Sequence, residues 1–264
     1  MASRNLQPPA APLLALESLA VLEYATYLAS IPLLRARPSG DGHPVLVLPG
    51  FTASDSSTQP LRSALKDHGY PVHGWGLGPN VGPHPRILRG LERRFGVLVE
   101  RHGQPLSLIG WSLGGIYARE LARAYPSAVR QVITLGSPYR FREGDRCHAS
   151  DLYAAMAPTR DPLQTRVDRE EARPALLVPS TSIYTRADGV VHWTACIESE
   201  GDRRENVEVL GTHGGLGWNV AVLVALLDRL AQPVGTWTPF QPSFRLRALY
   251  PPSVWWRPAR TEVA

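Results

Sequence analysis

The chain has 264 residues, 44% of them hydrophobic and 19% charged, with a formal net charge of +5. That length supports one substantial core, and the composition is that of a globular protein and not of a disordered one. The basic residues are scattered, with no block that could track a phosphate backbone, which argues against a nucleic-acid partner.

Residues 1–11 are polar and proline-rich. Residues 12–34 are mostly apolar and read as a helix. A transmembrane span is allowed by length, but Glu17 and Glu23 lie inside it, and each charge is costly at bilayer depth. A secretory signal is a poor reading too, because Arg4 alone marks the basic region and no small-residue cleavage site follows an uninterrupted apolar run. Two readings stay open: a helix packed on the domain, and one lying on a membrane or lipid surface. Either suits a cytoplasmic or peripheral-membrane location.

Pro38-Ser39-Gly40-Asp41-Gly42 is a turn cluster, and residues 43–48 form a buried strand with little alternation, as parallel sheets require. The strand ends in the loop Pro49-Gly50-Phe51-Thr52. A helix is expected over 59–68, a short strand over 71–75, a glycine- and proline-rich loop over 76–85 and an amphipathic helix over 85–102. A strand over 106–109 then leads into Gly110-Trp111-Ser112-Leu113-Gly114-Gly115, and a helix runs on to Tyr125. A strand over 132–135 closes with Gly136-Ser137-Pro138. Residues 139–177 lose any period and read as an insertion with one short helical piece over 151–157. Strands over 180–185 and 207–210 follow, the first ending at Arg186-Ala187-Asp188-Gly189 and the second at Gly211-Thr212-His213-Gly214-Gly215. The last strong helix covers 218–230. The division expected is an N-terminal extension (1–42), an α/β core (43–231) and a proline- and tryptophan-rich tail (232–264, with Trp237, Trp255 and Trp256) packed on the core. Strands alternating with helices at this spacing call for a mostly parallel, doubly wound sheet, whose functional loops gather at the carboxyl ends of the strands.

The Gly110–Gly115 stretch is a G-x-S-x-G pattern between a strand and a helix, the setting that lifts a serine hydroxyl out of a tight turn. The glycines let the strand and helix approach without collision. A serine hydroxyl is a weak nucleophile and needs a base that is itself oriented by a third group. Of eight histidines, His213 sits in a small-residue loop after a sheet strand, which delivers an imidazole to the carboxyl edge; His43, His68, His84, His102 and His148 read as surface or loop residues. Asp188, in a turn at the preceding strand end, is the orienting acid. Glu198, Glu200 and Asp202 are alternatives, but they lie in a polar run that reads as a solvated loop. Two preorganised N–H donors are needed for the oxyanion. Leu113 supplies one from its backbone, and Phe51 the other, with Thr52 the alternative. Cys147 and Cys196 have no metal-ligand spacing; both fall in loops near this site, which favours a single bridge over two buried thiols.

In these motifs, and in the order Ser112, Asp188, His213, the chain resembles the α/β-hydrolases of lipase/esterase type over about residues 43–231. The resemblance implies the α/β-hydrolase fold, a small cap at 139–177 over an open site, and acyl transfer from an ester to Ser112 followed by hydrolysis through His213. No cofactor and no metal is called for. Hydrophobic esters or acyl lipids are the expected substrates. The same triad would serve an acyltransferase or an amidase, whereas a dehalogenase of this fold has aspartate where Ser112 stands. A non-catalytic binding module of this fold would carry a damaged triad, and none of its members is missing here.

Overall fold

The computed structural model describes residues 5–35, 40–156, 170 and 173–255. Arg4, Pro38, Ser39, Ala157, Trp256 and most of 157–172 lie outside the described residues.

Among the described residues, six strands form one wholly parallel sheet: β1 (Val45–Leu48), β2 (Val72–Gly74), β3 (Leu106–Trp111), β4 (Val129–Leu135), β5 (Ser180–Tyr184) and β6 (Arg204–Glu208), in the spatial order β2-β1-β3-β4-β5-β6. The chain goes outward from β1 to β2, returns across β1 to β3, and then proceeds to the opposite edge. Strand order therefore reverses between β1 and β3. Their carboxyl-end loops part to opposite faces there, which opens a crevice where sheets of this class bind ligands.

The helices are α1 (Ala11–Leu16), α2 (Ala20–Arg35), α3 (Gln59–Lys66), α4 (Pro85–His102), α5 (Leu113–Ala124), α6 (Ser150–Met156) and α7 (Val220–Ala231), with a 3₁₀ turn at Glu17–Leu19 between the first two. Successive strand side chains point to opposite faces, so β1, β3 and β4 feed two cores. Val45, Val47, Ile109, Ile133, Ile183 and Val207 pack with α3 and α7 on one side. Leu46, Leu48, Leu108 and Val132 pack with α4 and α5 on the other. Double-sided burial is why the strands read as continuous apolar runs and not as alternating ones.

The edge strand departs from expectation, lying at Arg204–Glu208 instead of 207–210. Its polar residues are buried because each finds a partner. The Glu205 carboxylate accepts from Arg229 at 2.9 Å and from Thr181 at 2.8 Å, and the Glu208 carboxylate accepts from the Tyr184 hydroxyl at 2.8 Å. The chain at 232–255 then covers this open edge, with the Glu208 N–H donating to Ser253 Oγ at 2.9 Å and Asn206 Nδ2 to the Val254 carbonyl at 3.0 Å.

Part of the charge of the insertion turns inward. Arg119 of α5, only 4% exposed, bridges Glu198 and Glu170, and Glu170 also meets Arg123. Breaking such a pair strands an uncompensated buried charge. Arg119→Leu is therefore expected to destabilise the protein by about 3–5 kcal/mol, read as a lower urea-unfolding midpoint at unchanged slope.

Candidate active site

Ser112 follows β3 directly and carries φ 51° and ψ −123°, left-handed backbone that a serine adopts only under constraint. The constraint comes from both sides. The Ser112 N–H donates to the Leu135 carbonyl at the end of β4 (2.8 Å), and its carbonyl accepts from Gly115 (3.0 Å). The neighbouring glycines are obligatory for space: a Cβ on Gly110 would stand 2.3 Å from the Gly115 Cα, and one on Gly114 would stand 2.2 Å from the Leu48 carbonyl oxygen. With no side chain at either position, α5 presses against β3 and β1 and holds the serine at the tip.

At the ends of β5 and β6, His213 Nδ1 and Asp188 Oδ2 are 2.6 Å apart, and both residues are buried. The other Asp188 oxygen, Oδ1, accepts from the N–H groups of Val190 (2.9 Å) and Val191 (2.8 Å), so the carboxylate cannot swivel away from the imidazole. Burial, the strongest single influence on His213, disfavours its charged form. The Asp188 charge and hydrogen bond, with the Glu17 charge added, outweigh that burial and raise the imidazole above its usual pKa. The His213 loop is tied to the serine turn by Trp111, whose Nε1 donates to the His213 carbonyl at 3.1 Å. Beneath the pair lies Gly136, where a Cβ would come within 3.1 Å of His213 Nδ1 and 3.3 Å of Asp188 Oδ2.

Ser112 opens on an apolar cavity lined by Phe51, Leu113, Ile116, Phe141 and Tyr153. The loop after β1 brings Phe51 beside the serine, and a Cβ on Gly50 would lie 3.2 Å from the Ser112 Cβ. The Thr52 N–H donates to the Asn80 carbonyl at 2.8 Å, so the candidate oxyanion donor in this loop narrows from two to Phe51, alongside Leu113. Asn80 was not legible as a site residue. It is fully buried, donates from Nδ2 to the Pro49 carbonyl at 2.9 Å, and so sets the shape of the Phe51 loop.

The architecture recurs in solved structures. Aspergillus fumigatus lipase B superposes with a TM-score of 0.58 at 15% identity, over 74% of this chain and 54% of the other. A structure of the metagenome-derived lipolytic enzymes LipS and LipT superposes with a TM-score of 0.52 at 19% identity, over 73% and 93%. The chain has the α/β-hydrolase fold. No model of a known protein family matches it. Among curated proteins, it is similar to the pimeloyl-acyl-carrier-protein methyl ester esterases of Pseudoalteromonas atlantica (27% identical over 116 residues, 42% of this chain and 44% of that protein) and Shewanella woodyi (32% over 98 residues, 37% of each). The aligned stretch spans less than half the length of these curated relatives.

Within this α/β-hydrolase fold several expectations need correction. Glu198 lies in no solvated loop: it is buried, and its carboxylate is committed to Arg119 and to the Ser180 hydroxyl (2.9 Å). Burial is the largest influence on Glu198 and opposes its charge, but the Arg119 charge and the hydrogen bonds together hold its pKa below the usual carboxylate value. Glu200 and Asp202 are exposed. Cys147 and Cys196 are free thiols, not a bridge. Cys196 is enclosed by Tyr184, Val191 and Ile197, where burial pushes its thiol pKa well up and the neutral group packs as a small hydrophobe. Among the described residues, no group of three or more His, Cys, Asp or Glu side chains could hold a metal ion.

His43 and His68 are core residues and not surface ones, each 1% exposed. The His68 ring nitrogens Nδ1 and Nε2 each lie 2.7 Å from a carbonyl oxygen, those of Ala64 and Leu34. His43 forms a second acid–histidine–serine chain at the opposite end of the sheet: Nδ1 lies 2.6 Å from Asp41 Oδ1 and Nε2 lies 2.7 Å from Ser107 Oγ. Ser107 is fully buried inside β3, so no substrate reaches it. Ser107→Ala should lower stability by about 1–3 kcal/mol by orphaning a buried ring nitrogen, read from denaturation midpoints, and leave fluorophosphonate labelling of the protein intact. Ser112→Ala should do the reverse.

Proposed function

We propose that the chain is a carboxylic-ester hydrolase acting through Ser112, His213 and Asp188. The observation that carries the reading is the strained serine turn and the buried His213–Asp188 pair sharing one sheet edge beside an apolar cavity. The Ser112 hydroxyl attacks the ester carbonyl while His213 Nε2 takes its proton. The backbone N–H groups of Phe51 and Leu113 receive the oxyanion. The imidazolium then protonates the departing alkoxide, leaving an acyl-enzyme and a free alcohol. Water, deprotonated by the same imidazole, attacks the acyl-enzyme, and its collapse returns the proton to Ser112 Oγ and releases the acid. The described part of the insertion, 139–156, serves as a small cap, with Tyr153 of α6 edge-on to Phe51 at 5.2 Å. The apolar lining suits a hydrophobic acyl group, in keeping with relatives described as methyl ester esterases of a carrier-linked acyl chain.

Ser112→Ala should lower kcat on p-nitrophenyl esters by about 10⁴–10⁶-fold in a folded protein, and retained turnover would sink the assignment. A chain-length series of these esters, with and without a lipid interface, distinguishes an interfacial lipase from a soluble esterase. Because protonated His213 cannot act as base, kcat/KM should rise with pH through a pKa above the ordinary imidazole value.

The same proposal includes peripheral contact with a lipid surface through residues 12–34. The helical stretch Ala11–Arg35 is long and apolar enough to cross a membrane. Its outer face exposes Val21 (77%), Leu22 (64%), Leu28 and Leu33, while Glu17 and Glu23 turn inward to protein partners. Replacing Val21 and Leu22 by serine should weaken co-sedimentation with phosphatidylcholine–phosphatidylglycerol vesicles by about tenfold or more. Unchanged sedimentation counts against the lipid reading, as does a vesicle-free dimer that the same substitutions dissolve.

A further inference from the structure

The N-terminal helices meet the two loops that carry Asp188 and His213. Glu17, in the 3₁₀ turn between α1 and α2, accepts three backbone N–H groups with one carboxylate. Its Oε1 takes Gly189 at 2.8 Å and His213 at 3.0 Å, and its Oε2 takes Gly214 at 2.8 Å. The first donor follows the acid and the other two belong to the base loop. Six residues on, Glu23 holds the start of the base loop, accepting from Thr212 N (2.8 Å), Thr212 Oγ1 (2.7 Å) and Asn219 Nδ2 (2.7 Å). Trp218 Nε1 adds a bond to the Ala20 carbonyl at 3.0 Å.

The fit is close enough to constrain residues on both sides. A Cβ on Gly189 would stand 2.3 Å from the Leu13 carbonyl oxygen, and one on Gly215 would stand 2.4 Å from the Glu23 carboxyl carbon. Both loops lie beyond the paired ends of β5 and β6, where the strand ladder no longer holds them in register. A helix that merely covered the core would not need two carboxylates spent on loop backbone.

We propose that Glu17 is a positioning residue of the active site, its carboxylate tying the acid loop to the base loop and setting the Asp188–His213 separation. The proposal rests on the triad reading above. It makes the N-terminal helix a working part of the catalytic apparatus, with Glu23 bracing the same loop at its start. The charged groups that face His213 are Asp188, from the loop after β5, and Glu17, from the helix. Glu17 therefore acts in two ways, through loop position and through its charge on the imidazolium.

The test compares full-length Glu17→Gln and Glu17→Ala with Thr26→Ala, an exposed control on α2 whose hydroxyl bonds only its own helix at Leu22. Glutamine keeps one acceptor oxygen but loses the charge and turns an amide N–H group toward Gly214. Both Glu17 variants should lose about tenfold to a hundredfold in kcat on p-nitrophenyl butyrate with KM little changed, as a misplaced base does. The acidic limb of their kcat/KM profile should move to lower pH, because a negative charge that stabilised the imidazolium has gone. A purely structural clamp would lower the melting temperature and leave that limb in place. Unaltered kcat and acidic limb in Glu17→Gln overturn the proposal, as does an equal loss in Thr26→Ala. Should Glu17→Ala fail to fold, the pH titration of the His213 Nδ1 proton resonance in Glu17→Gln decides: a lowered pKa supports the role and an unchanged one refutes it. Turnover persisting in Ser112→Ala would defeat the triad and this proposal together, whereas an inactive Ser112→Ala beside an unaltered Glu17→Gln defeats this proposal alone.

Discussion

The hydrogen bond between Asp188 Oδ2 and His213 Nδ1, 2.6 Å long and buried, is the contact on which the site depends. It joins two loops that share no backbone ladder, at the carboxyl ends of neighbouring parallel strands. Each end has contacts of its own, and Glu17 bridges the two loops. Asp188 is locked by the N–H groups of Val190 and Val191, and the base loop by Trp111, Glu17 and Glu23. The Asp188 charge and hydrogen bond, with the Glu17 charge added, outweigh burial and make the imidazole more basic instead of less.

The pair at the opposite end of the sheet shows what such a contact does not accomplish alone. Asp41, His43 and Ser107 repeat the residue types, with the same 2.6 Å between acid and imidazole, yet burial dominates and lowers the His43 pKa where the His213 pKa is raised. Ser107 sits inside β3 near its amino end, beside a shift in register against β4. Ser112 differs because its backbone is forced into the left-handed region at a strand end, where a crevice and helix α5 meet. Position in the sheet separates the two serines; local chemistry does not.

The N-terminal segment inverts the usual amphipathic arrangement. Its polar groups face the protein and much of its apolar surface faces out. The inward glutamates are satisfied by loop N–H groups that have no strand partner, so helix and loops complete each other. Outward leucine and valine are what a lipid-facing surface requires. One short segment thus links the proposed lipid contact to the geometry of the base.

Much of the candidate site is written in local signals, because a serine turn needs glycines at fixed offsets and a parallel sheet brings the loops after successive apolar runs to one edge. Ser112, Asp188, His213 and the bounds of α4 rest on such local signals. What escaped was everything set by long-range pairing. Glu198 looks solvated until Arg119 reaches it, the edge strand's glutamates hide its register, and Glu17 and Glu23 look like obstacles to burial until the base loop is folded against them. Asn80, buried in a glycine- and proline-rich loop, carries no pattern of its own. Periodicity and turn chemistry, being local, are written in consecutive residues and determined the layered sheet and the order of its loops. Which carboxylates are paired, which cysteines stay apart and which histidine is basic depend on partners up to some two hundred positions away, and only the tertiary structure decided them.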